Sequence, residues 1–214
     1  LDRYWRHERA ITADLLARAD GPSPTVDEPA LADGLARLFP PTAPPTSTVL
    51  APDFGARAPK SEASSDDRQR VAAATAVQHR FSVVAGGPGT GKTTTVARLL
   101  ALLQEQAAAL GQPPPRVALA APTGKAAARL GEAVQAEAHR LDTSEAVRAA
   151  LLATPTSTLH RLLGWRRDNH SRFRHDRSNQ LPHNVVIVDE CSMVGLSLMA
   201  RLLDAVRPTT RLVL

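Results

Sequence analysis

The sequence predicts an α/β protein in which a parallel sheet is covered by helices on both faces. Three short apolar runs, at residues 81–85, 117–121 and 185–188, alternate with longer segments whose apolar residues recur at helical spacing. Runs without polar alternation are typical of strands buried on both faces, and strand–helix–strand units produce such strands. A further strand is expected to begin at Arg211. Because the sequence stops on this strand, we expect the sheet to be incomplete at its carboxyl end.

The composition fits a folded protein with a basic surface. The 214 residues are 43% hydrophobic and 22% charged, with a formal net charge of +5. The single cysteine, Cys191, excludes a disulfide within the chain and fits a reducing cytoplasm. No apolar run reaches the roughly 18 residues that span a bilayer, and the charged start LDRYWRHERA is unlike a signal peptide. The positive charge favours a polyanion such as nucleic acid, but an arginine-rich genome would explain it equally well.

Four helices are expected around the sheet. They cover residues 68–79, the segment after residue 91, about residues 125–141 and the segment after residue 190. The second and fourth helices each carry apolar residues on one face, namely Val96, Leu99, Leu100 and Leu103, and Met199, Leu202, Leu203 and Val206.

The first 65 residues differ in character from the rest. Residues 1–39 are expected to be helical and to form the end of an N-terminal domain. Its apolar anchors would be Tyr4, Ile11, Leu15, Leu31, Leu35 and Leu38. Residues 40–65 are rich in proline, which indicates a semi-extended linker. The α/β domain is therefore expected to occupy residues 66–214.

A glycine-rich segment after the first strand matches a phosphate-binding pattern at every position. Residues 86–93 read GGPGTGKT, which fits G-x-x-x-x-G-K-[ST] between a strand and a helix. Glycines let backbone N–H groups wrap around phosphate oxygens, and the helix directs its positive end at the same anion. Lys92 would neutralise the β- and γ-phosphates of ATP, and Thr93 would ligate Mg²⁺. The predicted ATP contacts are Gly86, Gly87, Pro88, Gly89, Thr90, Gly91, Lys92 and Thr93.

The third apolar run is followed by two carboxylates, Asp189 and Glu190. Asp189 lies 97 residues after Lys92. In an open α/β sheet, ligands bind at the carboxyl ends of the strands. Asp189 would hold Mg²⁺ through its water shell. Glu190 would orient and deprotonate the water that attacks the γ-phosphate, as the catalytic base.

Two further segments have the chemistry of a nucleic-acid contact. Thr123, Gly124 and Lys125 follow the second strand at a helix N-terminus, which suits a phosphate, although an ordinary turn fits equally well. Residues 158–164, TLHRLLG, precede an arginine-rich stretch in which Trp165 and Phe173 could stack on bases. For residues 166–180 a solvated surface loop is the favoured interpretation.

Three single residues are interpreted as structural. His160 has no metal partner at ligand spacing, so a structural or backbone-contacting role is favoured over a metal ligand. Cys191 is interpreted as a small buried residue and Trp5 as a packing residue.

Four segments occur together in a known family. GGPGTGKTTT, APTGKAAARL, TLHRLLG and VVIVDECSMV, in this order, resemble the RecD family, the alpha subunits of exodeoxyribonuclease V. The resemblance covers residues 66–214, and the opening LDRYWRHER is similar to the end of that family's N-terminal domain. It implies a RecA-like first motor domain of a superfamily 1 helicase that moves 5′ to 3′ on single-stranded DNA. It also implies RecB- and RecC-type partner subunits in double-strand break processing and recombinational repair.

The resemblance also assigns roles to individual residues. It adds Thr94 to the ATP-binding segment and Gln69 as the residue that reads adenine. It places Thr123, Gly124 and Lys125 in a DNA-contacting loop, and Thr158, His160 and Arg161 in a second segment near the DNA. Cys191 stands where the family more commonly has alanine. The family's Gly-Asp-Gln segment, second motor domain and arginine finger are expected after Leu214, so we expect these 214 residues alone to be inactive.

Three other functions stay open at this point. The first is a RecD-like 5′–3′ helicase that acts without partner subunits. The second is a P-loop ATPase or small-molecule kinase that does not act on DNA. The third is a binding module that docks to partners through residues 1–39.

Overall fold

The structure, a computed structural model, describes residues 2–40, 65–86, 90–165 and 173–214. Within them, five parallel strands form one sheet in the order β1-β5-β4-β2-β3. The strands are β1 (Phe81–Ser82), β2 (Val117–Ala121), β3 (Thr156–Thr158), β4 (Val185–Val188) and β5 (Arg211–Val213). The predicted α/β class, with a parallel sheet and helices on both faces, is confirmed.

Eight α-helices are seen in the same residues. They are α1 (Asp2–Ala19), α2 (Glu28–Leu38), α3 (Ser65–Gln78), α4 (Lys92–Ala109), α5 (Gly124–Ala138), α6 (Glu145–Leu152), α7 (Leu159–Leu162) and α8 (Leu196–Ala205). A 3-10 turn, Cys191–Met193, follows β4. None of these helices is both long and apolar enough to cross a membrane.

Two cores cover the two faces of the sheet because successive strand residues point to opposite sides. Leu119 and Ile187 join a core with α2, α3, α4, α5 and α6. Ala120 and Val188 join a second core with α1, α7 and α8. Every residue of β2 and β4 is buried, as their unbroken apolar runs predict.

The two N-terminal helices pack on opposite faces of the sheet. Helix α1 lies along α8, and α2 lies along α4. Of the predicted anchors, Leu31, Leu35 and Leu38 are buried, and Ile11 and Leu15 pack against the second core. The prediction for Tyr4 and that for Trp5 are wrong. Their side chains, near the start of α1, are 54% and 55% exposed, and the Arg9 guanidinium lies 4.8 Å from the centroid of the Trp5 ring.

A buried arginine joins α1 to the end of α8. The guanidinium of Arg18 donates hydrogen bonds to the carbonyl oxygens of Val206 (2.7 Å) and Arg207 (2.9 Å), and it pairs with Asp14. Val206 is the C-cap residue of α8, so its carbonyl has no hydrogen-bond partner within the helix. Arg18 therefore satisfies buried acceptors that would otherwise be costly.

Arg18→Ala should lower the free energy of unfolding by about 2–4 kcal/mol, since it leaves buried carbonyls and Asp14 without a partner. Arg6→Ala is the matched control, because Arg6 makes the same type of pair with Asp2 on the exposed side of α1. Denaturant unfolding of the intact protein should show a loss for Arg18→Ala and almost none for Arg6→Ala. Equal effects of the two changes would contradict the role of Arg18.

Several elements differ from the sequence-based expectation. Strand β1 is shorter than residues 81–85, because it lies at the sheet edge beside β5 alone and the chain then turns into the glycine-rich loop. Its pairing extends by one hydrogen bond, from the Val84 N–H to the Leu214 carbonyl (2.8 Å). The sequence predicted neither α6 nor β3. The predicted linker lies mostly outside the described residues.

Candidate functional site

All predicted site segments lie at one edge of the sheet. The strands are parallel, so their carboxyl ends share an edge. The glycine-rich loop follows β1, the segment 123–125 follows β2, the segment 158–161 follows β3, and Asp189 and Glu190 follow β4. Strand β5 lies between β1 and β4, the two strands that lead into the predicted ATP-binding segments.

Two glycines of the loop have no room for a side chain. Gly91 has φ +78°, and a Cβ atom there would lie 2.6 Å from Nε2 of Gln69. A Cβ atom on Gly86 would lie 2.6 Å from Oγ1 of Thr90. The left-handed φ therefore favours glycine at position 91, whereas a side chain at position 86 would force the Thr90 side chain to shift. Gly87, Pro88 and Gly89 lie outside the described residues.

The loop leads directly into the N-terminus of α4. Lys92 is the first helical residue, and its Nζ donates to the Gly86 carbonyl at the start of the loop. Gln69 on α3 donates from Nε2 to the Thr90 carbonyl (3.0 Å). Lys92, Thr93 and Thr94 are partly exposed in the first turn, where free backbone N–H groups and the helix dipole favour an anion.

The two carboxylates after β4 are held in different ways. The Asp189 N–H donates to the Ala120 carbonyl of β2 (2.9 Å), and its Oδ1 accepts from the Glu190 N–H (2.8 Å). Glu190 is exposed and has φ 54° and ψ 41°, the only positive φ of a non-glycine residue in the described parts of the chain. A left-handed backbone at a glutamate costs roughly 1–2 kcal/mol, and such strain concentrates at functional sites.

Lys92 and Asp189 line the same small cavity, about 30 Å³ in volume, whose apolar wall includes Val84 and Ile187. The structure thus brings the two predicted halves of the ATP site together. The set also fits Mg²⁺, which is typically bound by one or two carboxylates, its own waters and the substrate phosphates. The Asp189 carboxylate has one oxygen engaged by the Glu190 N–H and is partly exposed.

The two predicted DNA segments lie side by side. Ala121 of β2 is in register with Thr158 of β3. Thr123 caps α5 by accepting from the Ala126 N–H, and Thr158 caps α7 by accepting from the Arg161 N–H, each at 3.2 Å. Four exposed residues surround these caps, namely Gly124, Lys125, His160 and Arg161.

Aromatic residues contact one another in the segment after α7. The ring of His160 lies 5.9 Å from that of Phe173, which forms an antiparallel bridge with Trp165. His160 also accepts, at its carbonyl, from the Trp165 N–H (2.9 Å). Trp165 is 39% exposed. Residues 166–172 lie outside the described residues, so the interpretation of this stretch as a solvated loop stays a prediction there.

The segment after Phe173 is an ordered turn at the surface. Oδ1 of Asp176 accepts from the Ser178 hydroxyl and from the N–H groups of Ser178 and Asn179, and these bonds lower the pKa of its carboxyl. Arg177 pairs with Asp204 on α8 (2.5 Å). Sequence reasoning missed this turn, although the D-x-S-N pattern is typical of one.

Cys191 is half-buried against the second core, and burial raises the pKa of its thiol. A raised pKa disfavours the reactive thiolate, although the side chain is only partly buried and not buried as predicted.

A glycine-rich loop that enters a helix, beside a strand ending in Asp-Glu in a parallel sheet, defines the P-loop nucleoside triphosphatases. Residues 69–214 match the AAA domain family. The relatives then identify the particular group. "RecBCD enzyme subunit RecD" of Mycolicibacterium smegmatis is 53% identical over 218 residues, which cover 100% of this chain and 33% of that protein. The same subunit of Mycobacterium tuberculosis (strain CDC 1551 / Oshkosh) is 51% identical, with 100% and 32% covered.

A third relative carries a different name. "ATP-dependent RecD2 DNA helicase" of Deinococcus radiodurans is 39% identical over 136 residues, which cover 64% of this chain and 15% of that protein. The chain belongs to the RecD family. It spans about a third of the length of the two mycobacterial relatives.

Proposed function

We propose that this chain supplies the ATP-binding half of a DNA helicase motor. The observation that carries the proposal is the shared sheet edge. There Lys92 and Asp189 line one cavity, and the ends of the paired strands β2 and β3 lead into the segments at Thr123 and Thr158. ATP hydrolysis and the binding of single-stranded DNA would therefore both take place at the carboxyl ends of these strands.

Each residue of the proposed ATP site has a distinct task. The backbone of residues 86–91 cradles the phosphates, and the Lys92 ammonium neutralises the charge that builds up on the transferring γ-phosphate. Thr93 and Asp189 hold Mg²⁺, which adds positive charge at the phosphates. Glu190 accepts the proton of the attacking water.

Gln69 is proposed to read adenine while it supports the loop. One Nε2 hydrogen is used at the Thr90 carbonyl, which leaves the second hydrogen and the Oε1 acceptor. Adenine offers a ring-nitrogen acceptor beside an amino donor, and this pair matches what the carboxamide has left. Binding of the base would thus be coupled to the position of the phosphate loop.

The helicase is proposed to move 5′ to 3′ as a cytoplasmic subunit beside RecB- and RecC-type partners. The two mycobacterial subunits match the whole chain, including residues 1–65, whereas the RecD2 helicase matches 64% of it. A helicase that works without these partners is the alternative. Co-purification of the intact protein with the products of neighbouring genes would support the subunit. Unwinding of DNA by the protein as a single subunit would support the stand-alone helicase.

Lys125→Ala should weaken binding of single-stranded DNA about uniformly across sequences. Lys125 is exposed in the first turn of α5, where a lysine acts as a phosphate contact and carries no base information. Its loss should reduce the slope of log K against log salt by about one unit. Fluorescence anisotropy with labelled oligonucleotides at several salt concentrations measures both.

Arg140→Ala is the matched control, since Arg140 is an exposed cation beyond the other end of α5. It should leave the salt slope unchanged. A loss for Lys125→Ala that depends on the oligonucleotide sequence would mean that this residue reads bases, against the proposal.

A further inference from the structure

A large cavity lies at the sheet edge opposite the ATP site. Its volume is about 390 Å³. Its lining includes Arg80, Asn184 and Arg211, which lie at the amino ends of β1, β4 and β5, respectively. The far wall is formed by Leu110 and the proline run 113–115. None of the residues proposed above to bind ATP or DNA lines it.

Two guanidinium groups in this cavity have backbone partners but no carboxylate. Arg80 donates to the carbonyls of Pro22 (2.8 Å) and Thr209 (2.6 Å). Arg211 donates to the carbonyls of Val77 (2.6 Å) and His79 (3.4 Å). Among the described residues, no Asp or Glu forms an ion pair with either arginine, and none lines the cavity.

The charge of this pair is not compensated within the described residues. Burial, and then the charge of Arg80, lower the pKa of Arg211 to about 10, so that Arg211 remains cationic at neutral pH. Both arginines support backbone carbonyls, and Arg211 does so at the end of α3. Two like charges in one cavity cost energy unless an anion enters. Each guanidinium has five N–H donors and uses two in the bonds above.

The shape of the cavity favours a carboxylate over a nucleic-acid backbone. Arg211 is recessed between apolar and proline walls, whereas phosphate backbones are usually met by exposed cations along a groove. The side chain of a glutamate or aspartate can enter such a cavity, while an apolar neighbour contacts Leu110 and the prolines. We infer that this cavity binds an acidic segment of a protein partner, in which a carboxylate contacts Arg80 and Arg211 beside an apolar residue.

The test uses the intact protein and a fluorescein-labelled peptide, Leu-Glu-Leu-Asp, with the neutral peptide Leu-Gln-Leu-Asn as comparison. The acidic peptide should bind at least about tenfold more tightly, which is the lower end of the effect of a charged hydrogen bond. Arg80→Gln and Arg211→Gln should each remove most of this difference. Arg140→Gln, which removes an exposed charge elsewhere, should not.

A second variant does not depend on the arginines. Thr25 is exposed and lines the cavity, so that Thr25→Trp should obstruct it and weaken the acidic peptide without changing the melting temperature. Equal binding of the two peptides, no binding up to about 1 mM, or full binding by both Thr25→Trp and Arg80→Gln would overturn the inference. Displacement of the peptide by a single-stranded oligonucleotide, with loss of oligonucleotide binding in Arg80→Gln, would instead assign the cavity to nucleic acid.

Discussion

Lys92→Ala should reduce ATP hydrolysis by the intact protein at least about 10²–10³-fold, the usual effect of removing one group that stabilises transition-state charge. Lys92 stands at the N-terminus of α4 and lines the cavity that Asp189 also lines, and its Nζ donates to the Gly86 carbonyl, so its ammonium is placed to contact a phosphate at this loop. Steady-state phosphate release at saturating ATP measures the effect.

The fold should survive this change. Lys92 is partly exposed, and the alanine that replaces it is a strong helix former, so the melting temperature should stay near that of the wild type. Arg140→Ala serves as the control for loss of a positive charge outside the site. Turnover close to that of the wild type in Lys92→Ala would exclude the proposed phosphate site.

Glu190→Gln should slow hydrolysis by about 10²–10⁴-fold, the typical contribution of a general base. The amide keeps the size of the side chain and cannot accept the proton from water. ATP binding should remain, because Lys92 and Asp189 are unchanged. Fluorescent-nucleotide titration and single-turnover hydrolysis separate the two quantities.

Two outcomes distinguish the possible roles of Glu190. Glu190→Gly should be as inactive as Glu190→Gln, but its melting temperature should not fall below that of the wild type, since glycine relieves the positive φ of 54°. Equal losses of ATP binding and turnover in Glu190→Gln would instead make Glu190 a metal ligand. Near-normal turnover in both variants would remove it from the chemistry.

Two of the strands that carry the site, β2 and β4, could be predicted to the residue. Strands β2 and β4 are unbroken apolar runs buried on both faces, and this pattern is strong even when only four or five residues long. Strand β3 is polar and three residues long, so periodicity has nothing to detect. Yet β3 places Thr158 beside Ala121 and so brings the two DNA segments together.

Side-chain environments were less accessible to sequence reasoning. Tyr4 and Trp5 look like core residues by type, but they lie near the start of α1 and stay exposed, whereas Ile11 and Leu15 further along the helix pack against the second core. The backbone strain at Glu190 depends on how the chain leaves β4, and it cannot be predicted from the residue type. The pairing of Arg80 with Arg211 depends on the contact of β1 with β5, which are 130 residues apart.

The coupling of ATP hydrolysis to DNA is tested most directly by one measurement, steady-state ATP hydrolysis by the intact protein with and without single-stranded DNA. Because both sites use the same strand ends, DNA should stimulate turnover at least about fivefold, the lower end of typical coupling between two sites. The stimulation should decline with rising salt as DNA dissociates. Hydrolysis at the same rate with and without DNA, under conditions where the DNA is bound, would contradict the proposal that this sheet edge couples the two.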